Sequence, residues 1–171
     1  DFNLKKYYYK FFDSPKYKDF KSKKLVDNSV KIFEEKFKDY IYGIEHKIKE
    51  KKKLTFLHSG HLGDLIYALA VIKELSKDHE CHFYIQANKK INVDYFKHPA
   101  KGVFIDDRML KLFLPLMKVQ NFIHKCEKYN GEEIDIDFDI FRELPVNIHF
   151  NSPRWYFHIS GIQVDLKDPY M

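Results

Sequence analysis

At 171 residues the chain has room for one domain with an appendage, and two full α/β domains do not fit. A composition 44% hydrophobic and 17% aromatic, with 16 Phe and 12 Tyr, supplies ample material for a core and excludes a chain that is disordered or of low complexity throughout. The formal charge of +5 resides in residues 1–24, where eight lysines face three aspartates; the remaining body is balanced, and its net charge points to no anionic partner.

Two cysteines, Cys81 and Cys126, are too few for a disulfide framework and belong to no CxxC or Cys/His cluster, which points to a reducing, cytoplasmic setting. No apolar run approaches the roughly 20 residues of a membrane helix, and the first residues lack the pattern of a secretory signal. Asp1 stands where an initiator Met would, which fits a chain that starts inside a longer product.

Residues 1–24, DFNLKKYYYKFFDSPKYKDFKSKK, interleave Lys with Tyr and Phe. Charge plus stacking suits anionic lipid, glycolipid head groups or single-stranded nucleic acid. The plainer reading packs the rings on the following domain and lays the lysine stems along apolar surface. Over residues 25–53, Val30, Ile32, Phe33, Phe37, Ile41, Ile44 and Ile48 recur at helical spacing, predicting one long amphipathic helix capped by Asp27 or Asn28.

At residues 54–59 the pattern changes to LTFLHS, a short apolar run that predicts a buried strand. A helix follows from Asp64 to about Lys77, with Leu65, Ile66, Leu69, Ala70, Ile72 and Leu75 on its apolar face, and CHFYIQA at 81–87 predicts a second strand. Strand, glycine turn, helix and strand make a right-handed βαβ unit, hence an α/β fold with a Rossmann-like, parallel-rich sheet over residues 54–171, preceded by the long helix.

Further on, DDRMLKLFLPLMK predicts a helix interrupted near Pro115, and NFIHKCEKY a strand. Tyr129 to Glu132 form a turn whose Asn-Gly pair is a strong hairpin signal. EEIDIDFDIF alternates acid and apolar residues, predicting a strand with Asp135, Asp137 and Asp139 on one solvated face, a metal-binding DxD being the alternative. In SPRWYFHISGI, Ser152 suits a cap, Pro153 the first helical position and Gly161 the stop.

The stretch HSGHLGDLIYALA, residues 58–70, carries the chemistry. A glycine turn between a parallel strand and a helix places backbone N–H groups and the positive helix end at the carboxyl edge of the sheet, where open α/β folds bind small ligands. A dinucleotide fingerprint is a poor match, because Leu62 and Leu65 stand where GxGxxG needs glycine and the second strand runs into Gln86 and Asn88 rather than an acid. The absence of GK[ST] excludes a Walker loop. Asp64 is a candidate general base, and capping of the helix is its structural alternative. His58 and His61 flank the turn and suit a phosphate or a sugar hydroxyl, while Ser59 lacks a nucleophile elbow.

Arg142 and Arg154 suit either ion pairs with the nearby acids or a substrate phosphate, and Trp155 and Tyr156 either core packing or stacking on a sugar. His79, His82, His98, His124, His149 and His158 show no HxH or HExxH spacing and remain unassigned.

SGHLGDLIYALAVIKEL after its strand resembles the first βα unit of GT-B glycosyltransferases of the lipopolysaccharide heptosyltransferase type, and EIDIDFDIFRE, NSPRWYFHISGI and DLKDPYM are similar to downstream segments of uncharacterised members. The resemblance covers about residues 54–171. It implies inverting, metal-independent transfer from a nucleotide sugar to a glycan or glycolipid acceptor, with Asp64 as general base and Gly60, His61, Leu62 and Gly63 at the substrate. Ala70 stands where the family usually has Pro. The chain has no room for the donor-binding domain, so the resemblance implies the acceptor-side half of such an enzyme, working with a second domain or chain. The nucleotide sugar is then a co-substrate, no cofactor is implied, and the basic segment brings the protein to an anionic glycan or membrane surface. The competing expectations are a non-catalytic scaffold or interaction module and, more weakly, a nucleic-acid binder.

Overall fold

The computed structural model describes residues 43–90, 102–143 (141–143 in backbone only), Tyr156 and 159–162. Of the helix expected over 25–53, residues 43–50 are helical (α1), and Lys53 already opens the first strand; the rest of that helix, like the basic segment 1–24, lies outside the described residues.

Strand β1 (Lys53–His58) is buried from its second residue to its last, as a run of Leu, Thr, Phe and Leu dictates for a strand covered on both faces. Helix α2 (Leu62–Leu75) follows and buries Leu65, Ala68, Leu69, Ala70, Val71, Ile72 and Leu75. Strand β2 (Glu80–Ile85) returns beside β1 in parallel, from Lys53↔Glu80 to His58↔Ile85. After helix α3 (Asp107–Lys118), strand β3 (Lys125–Lys128) pairs in parallel with β2, and the two-residue β4 (Ile136–Asp137) pairs in parallel with the other side of β1. The strand order is β3-β2-β1-β4 and each strand pairing among the described residues is parallel, an isolated antiparallel bridge joining Lys90 and Val103 outside the strands, so the fold is α/β with a parallel sheet and flanking helices.

The core lies between sheet and helices. Phe56 of β1 stacks on Phe138 at 5.7 Å between ring centroids, and Tyr156 meets Phe138 edge-on at 5.2 Å. Each such side chain, fully buried, contributes about 1.5–3 kcal/mol by leaving water. Burial also pushes the Cys81 and Cys126 thiols up to about 12, which keeps both protonated and unreactive. Among the described residues no helix is long and apolar enough to cross a membrane.

Two expectations are corrected. Helix α3 is not interrupted at Pro115 but runs on to Lys118, because the buried stripe Leu110, Phe113 and Met117 outweighs the one hydrogen bond that proline removes. Asn130 and Gly131 turn as expected, with Gly131 at φ 102°, and the chain passes from β3 to β4 on the other side of β1. The acidic segment is not a strand with a wet face. Only Ile136 and Asp137 are strand, residues Phe138–Glu143 wind into a 3-10 helix, and Asp135 and Asp139 are buried. The expected stop at Gly161 is present, at φ 67°, a conformation that favours glycine.

Candidate functional site at the carboxyl edge of the sheet

The chain leaves β1 towards β2 and β3 on one side and reaches β4 on the other, so the strand order reverses between β1 and β4. In open α/β sheets the crevice at the carboxyl ends of such a pair is where ligands bind. At this edge stand His58 and Ser59, from the end of β1, and Asp139, from just beyond β4, all three buried.

His58 is fully buried. Its Nδ1 lies 2.8 Å from Asp139 Oδ1 and its Nε2 2.8 Å from the Tyr156 hydroxyl. A carboxylate only accepts, so in the neutral ring the proton sits on Nδ1 and Tyr156 O–H donates to Nε2. With Nδ1 carrying a hydrogen, the Ser59 N–H donates to Asp139 Oδ1 at 3.1 Å in preference to Nδ1 at 3.0 Å. The Ser59 hydroxyl donates to Asp139 Oδ2, and Lys89 Nζ reaches the same oxygen at 3.1 Å. Lys89 arrives from the turn after β2, where Asn88 adopts φ 62°, a left-handed conformation that asparagine tolerates better than most residues.

Asp137 accepts the Asp139 backbone N–H at 2.8 Å. Burial, followed by the neighbouring Asp139 carboxylate, pushes its pKa above the usual range. This is a carboxyl group of enhanced basicity beside the His58–Asp139 network.

Ahead of the network lies the glycine turn. His61 is the N-cap of α2, and its backbone N–H donates to Asp64 Oδ2 at 3.0 Å, the reciprocal half of a capping box. Asp64 is thus placed by a local helix-starting motif and is half-buried. The His61 ring packs on Phe104 at 4.2 Å, which fixes the outer wall of the turn. Gly60 is buried, Leu62 half-buried against the core and Gly63 exposed, with open space where a side chain would stand. The Gly60 N–H points at His58 Nδ1 at 3.2 Å and that of Asp64 at the His61 side chain, so the first-turn N–H groups of Leu62 and Gly63 are the donors the turn has to offer beside the carboxylate.

The structure therefore gathers Gly60, His61, Leu62, Gly63 and Asp64 in one turn and puts His58 and Ser59 behind it as a buried support. Ser59 is no nucleophile: its hydroxyl is committed to Asp139. Tyr156 is core, as its plainer reading holds, and its hydroxyl also fixes His58. Sequence reasoning missed Asp139 and Lys89. The available signal was a histidine ending a fully buried strand, which demands a buried partner. Arg154 and Trp155 lie outside the described residues, as does the side chain of Arg142. A groove of about 310 Å³ runs along α3 between Asp107 and Lys118 and takes no residue from the turn. No family model, curated protein or solved structure matches the chain.

Proposed function

We propose that the chain is the Rossmann-like, acceptor-side half of a GT-B glycosyltransferase that transfers a sugar from a nucleotide-sugar donor to a glycan or glycolipid. One observation carries the reading: the Gly60–Asp64 turn lies at the carboxyl end of β1, where the strand order β3-β2-β1-β4 reverses, with a carboxylate in the first turn of α2. Asp64 removes the proton from an acceptor hydroxyl as that oxygen attacks the anomeric carbon. The bond from that carbon to the nucleotide diphosphate breaks, and the configuration inverts. Accepting the His61 N–H is compatible with this role, because a carboxylate offers about four lone-pair sites. His61, Leu62 and Gly63 border the acceptor, and the donor requires a second domain or chain.

The rival is a non-catalytic interaction module, favoured by the capping bond, which accounts for Asp64 without any substrate. Titration of the full chain with phosphorylated glycans and nucleotide sugars, followed by NMR, separates the two. Acceptor-induced shifts at residues 60–64 that disappear in Asp64→Ala support the transferase. In the complete enzyme, Asp64→Asn, which keeps an oxygen for the cap, is expected to lose about 10²–10⁴ in kcat with its fold intact. Near-normal turnover of that variant rejects the base assignment. Silence of the folded chain towards every glycan favours the module.

A further inference from the structure

At the opposite, amino edge of the sheet a second cluster forms. Glu80 and His82 are two residues apart in β2 and so share one face, while Cys81 between them is buried. The parallel register His82↔Lys125 sets His124, the residue before β3, diagonally beside them, and the His124 N–H extends the ladder to the Cys81 carbonyl at 3.0 Å. The imidazoles of His82 and His124 stack face to face, 5.2 Å apart and within 2° of parallel. Glu80 Oε1 lies 2.6 Å from His82 Nε2 and 3.5 Å from His124 Nε2. One ligating atom from each of the three residues falls within 4.8 Å of the other two.

We propose that Glu80, His82 and His124 bind a divalent transition-metal ion of the zinc class. Two imidazoles and one carboxylate suit a borderline metal, whereas calcium and magnesium call for oxygen ligands throughout. Ligands at the usual zinc distances on a tetrahedral ion stand about 3.4 Å apart, so the observed separations need adjustments of about 1 Å, within reach of side-chain rotation. The side chains of Glu80 and His124 are 45% and 62% exposed, which leaves the ion an entry path, and His82, at 11%, anchors the site to the sheet. Three protein ligands leave a fourth position to solvent. Because His124 belongs to the β3 side and the other two to β2, the ion would also tie the edge strand to its neighbour. This edge is separate from the glycine turn, so the proposal is independent of the transferase reading.

The test is calorimetric titration of the untagged full chain with zinc chloride, repeated with cobalt(II) to read its visible spectrum. The expected result is one ion per chain with micromolar affinity and a rise of a few degrees in Tm at saturating metal. His82→Asn, His124→Asn and Glu80→Gln are each expected to weaken binding at least tenfold. His46→Asn, in an exposed helical pair with Glu50, is expected to leave it unchanged. His124 is largely exposed, so its variant tests the site even if His82→Asn disturbs β2. Affinity weaker than millimolar, or binding equal in the His124 variant and the parent, overturns the proposal.

Discussion

At the carboxyl edge His58 is fully buried, with one ring nitrogen against Asp139 and the other against Tyr156; at the amino edge a largely buried His82 stacks on His124, which, like Glu80 beside it, is exposed to solvent. The same residue type does two kinds of work. Where water is excluded, an unmade hydrogen bond is costly, so the polar groups lock into one arrangement and become structure. Where water reaches, the groups keep the freedom to exchange partners, and a ligand can recruit them.

The largest expected effect comes from breaking the buried side. Asp139→Ala leaves His58 Nδ1–H, the Ser59 hydroxyl and Lys89 without their common acceptor. Two buried donors, His58 Nδ1–H and the Ser59 hydroxyl, then go unmet at about 1–3 kcal/mol each, readable in urea unfolding. Glu80→Ala, at the exposed edge, is expected to leave the urea midpoint of the metal-free protein unchanged. Similar losses from the two variants would erase the distinction between the edges.

A smaller loss sharpens it. Tyr156→Phe keeps the ring against Phe138 and His58 and removes only the hydroxyl, leaving His58 Nε2 buried without a donor. The expected cost is about 1–3 kcal/mol, together with a shifted His58 Nε2 resonance in nitrogen NMR. An unchanged resonance would mean that the bond does not form in solution.

Much of this fold was legible in the sequence because local patterns and tertiary demands agree there. LTFLHS and CHFYIQA are short apolar runs bounded by turns, and the face of α2 repeats at helical spacing; both emerge within about two residues of their expected bounds. The failures share one cause: pairings distant in sequence. Asp135 and Asp139 read as a wet face because alternation says nothing of Lys51, Thr55 and His58, which lie some 80 residues earlier and make burial tolerable. Asn130-Gly131 was legible as a turn, but the dipeptide says nothing of where the strand that follows pairs. The glycine turn was visible as a motif, whereas its support, Asp139, was not. For the Glu80, His82 and His124 cluster only Glu-x-His in one strand was local, and the third member comes from the β2–β3 register.

The smallest effects concern two acids two residues apart with opposite signs. Burial alone would push Asp135 up, but hydrogen bonds from Lys51 and Thr55 and the Lys51 charge outweigh it, and its pKa falls below the ordinary 3.8. Asp137, half-buried beside the Asp139 carboxylate, goes above 3.8. Below 3.8, down to the folded value of Asp135, the unfolded chain binds the extra proton, so stability is lost as pH falls, and Asp135→Asn is expected to flatten that acid limb. Between 3.8 and the folded value of Asp137 the native state binds the extra proton, so stability rises as pH falls. Asp137→Asn, whose amide oxygen can still accept the Asp139 N–H, removes that rise and is expected to make the protein slightly more stable at neutral pH. Urea midpoints across about pH 2 to 6, roughly the range over which a carboxylate titrates, read both slopes. If Asp137→Asn leaves the mildly acidic limb as steep as in the parent, water reaches Asp137, and the carboxyl edge is less sealed than the buried His58 implies.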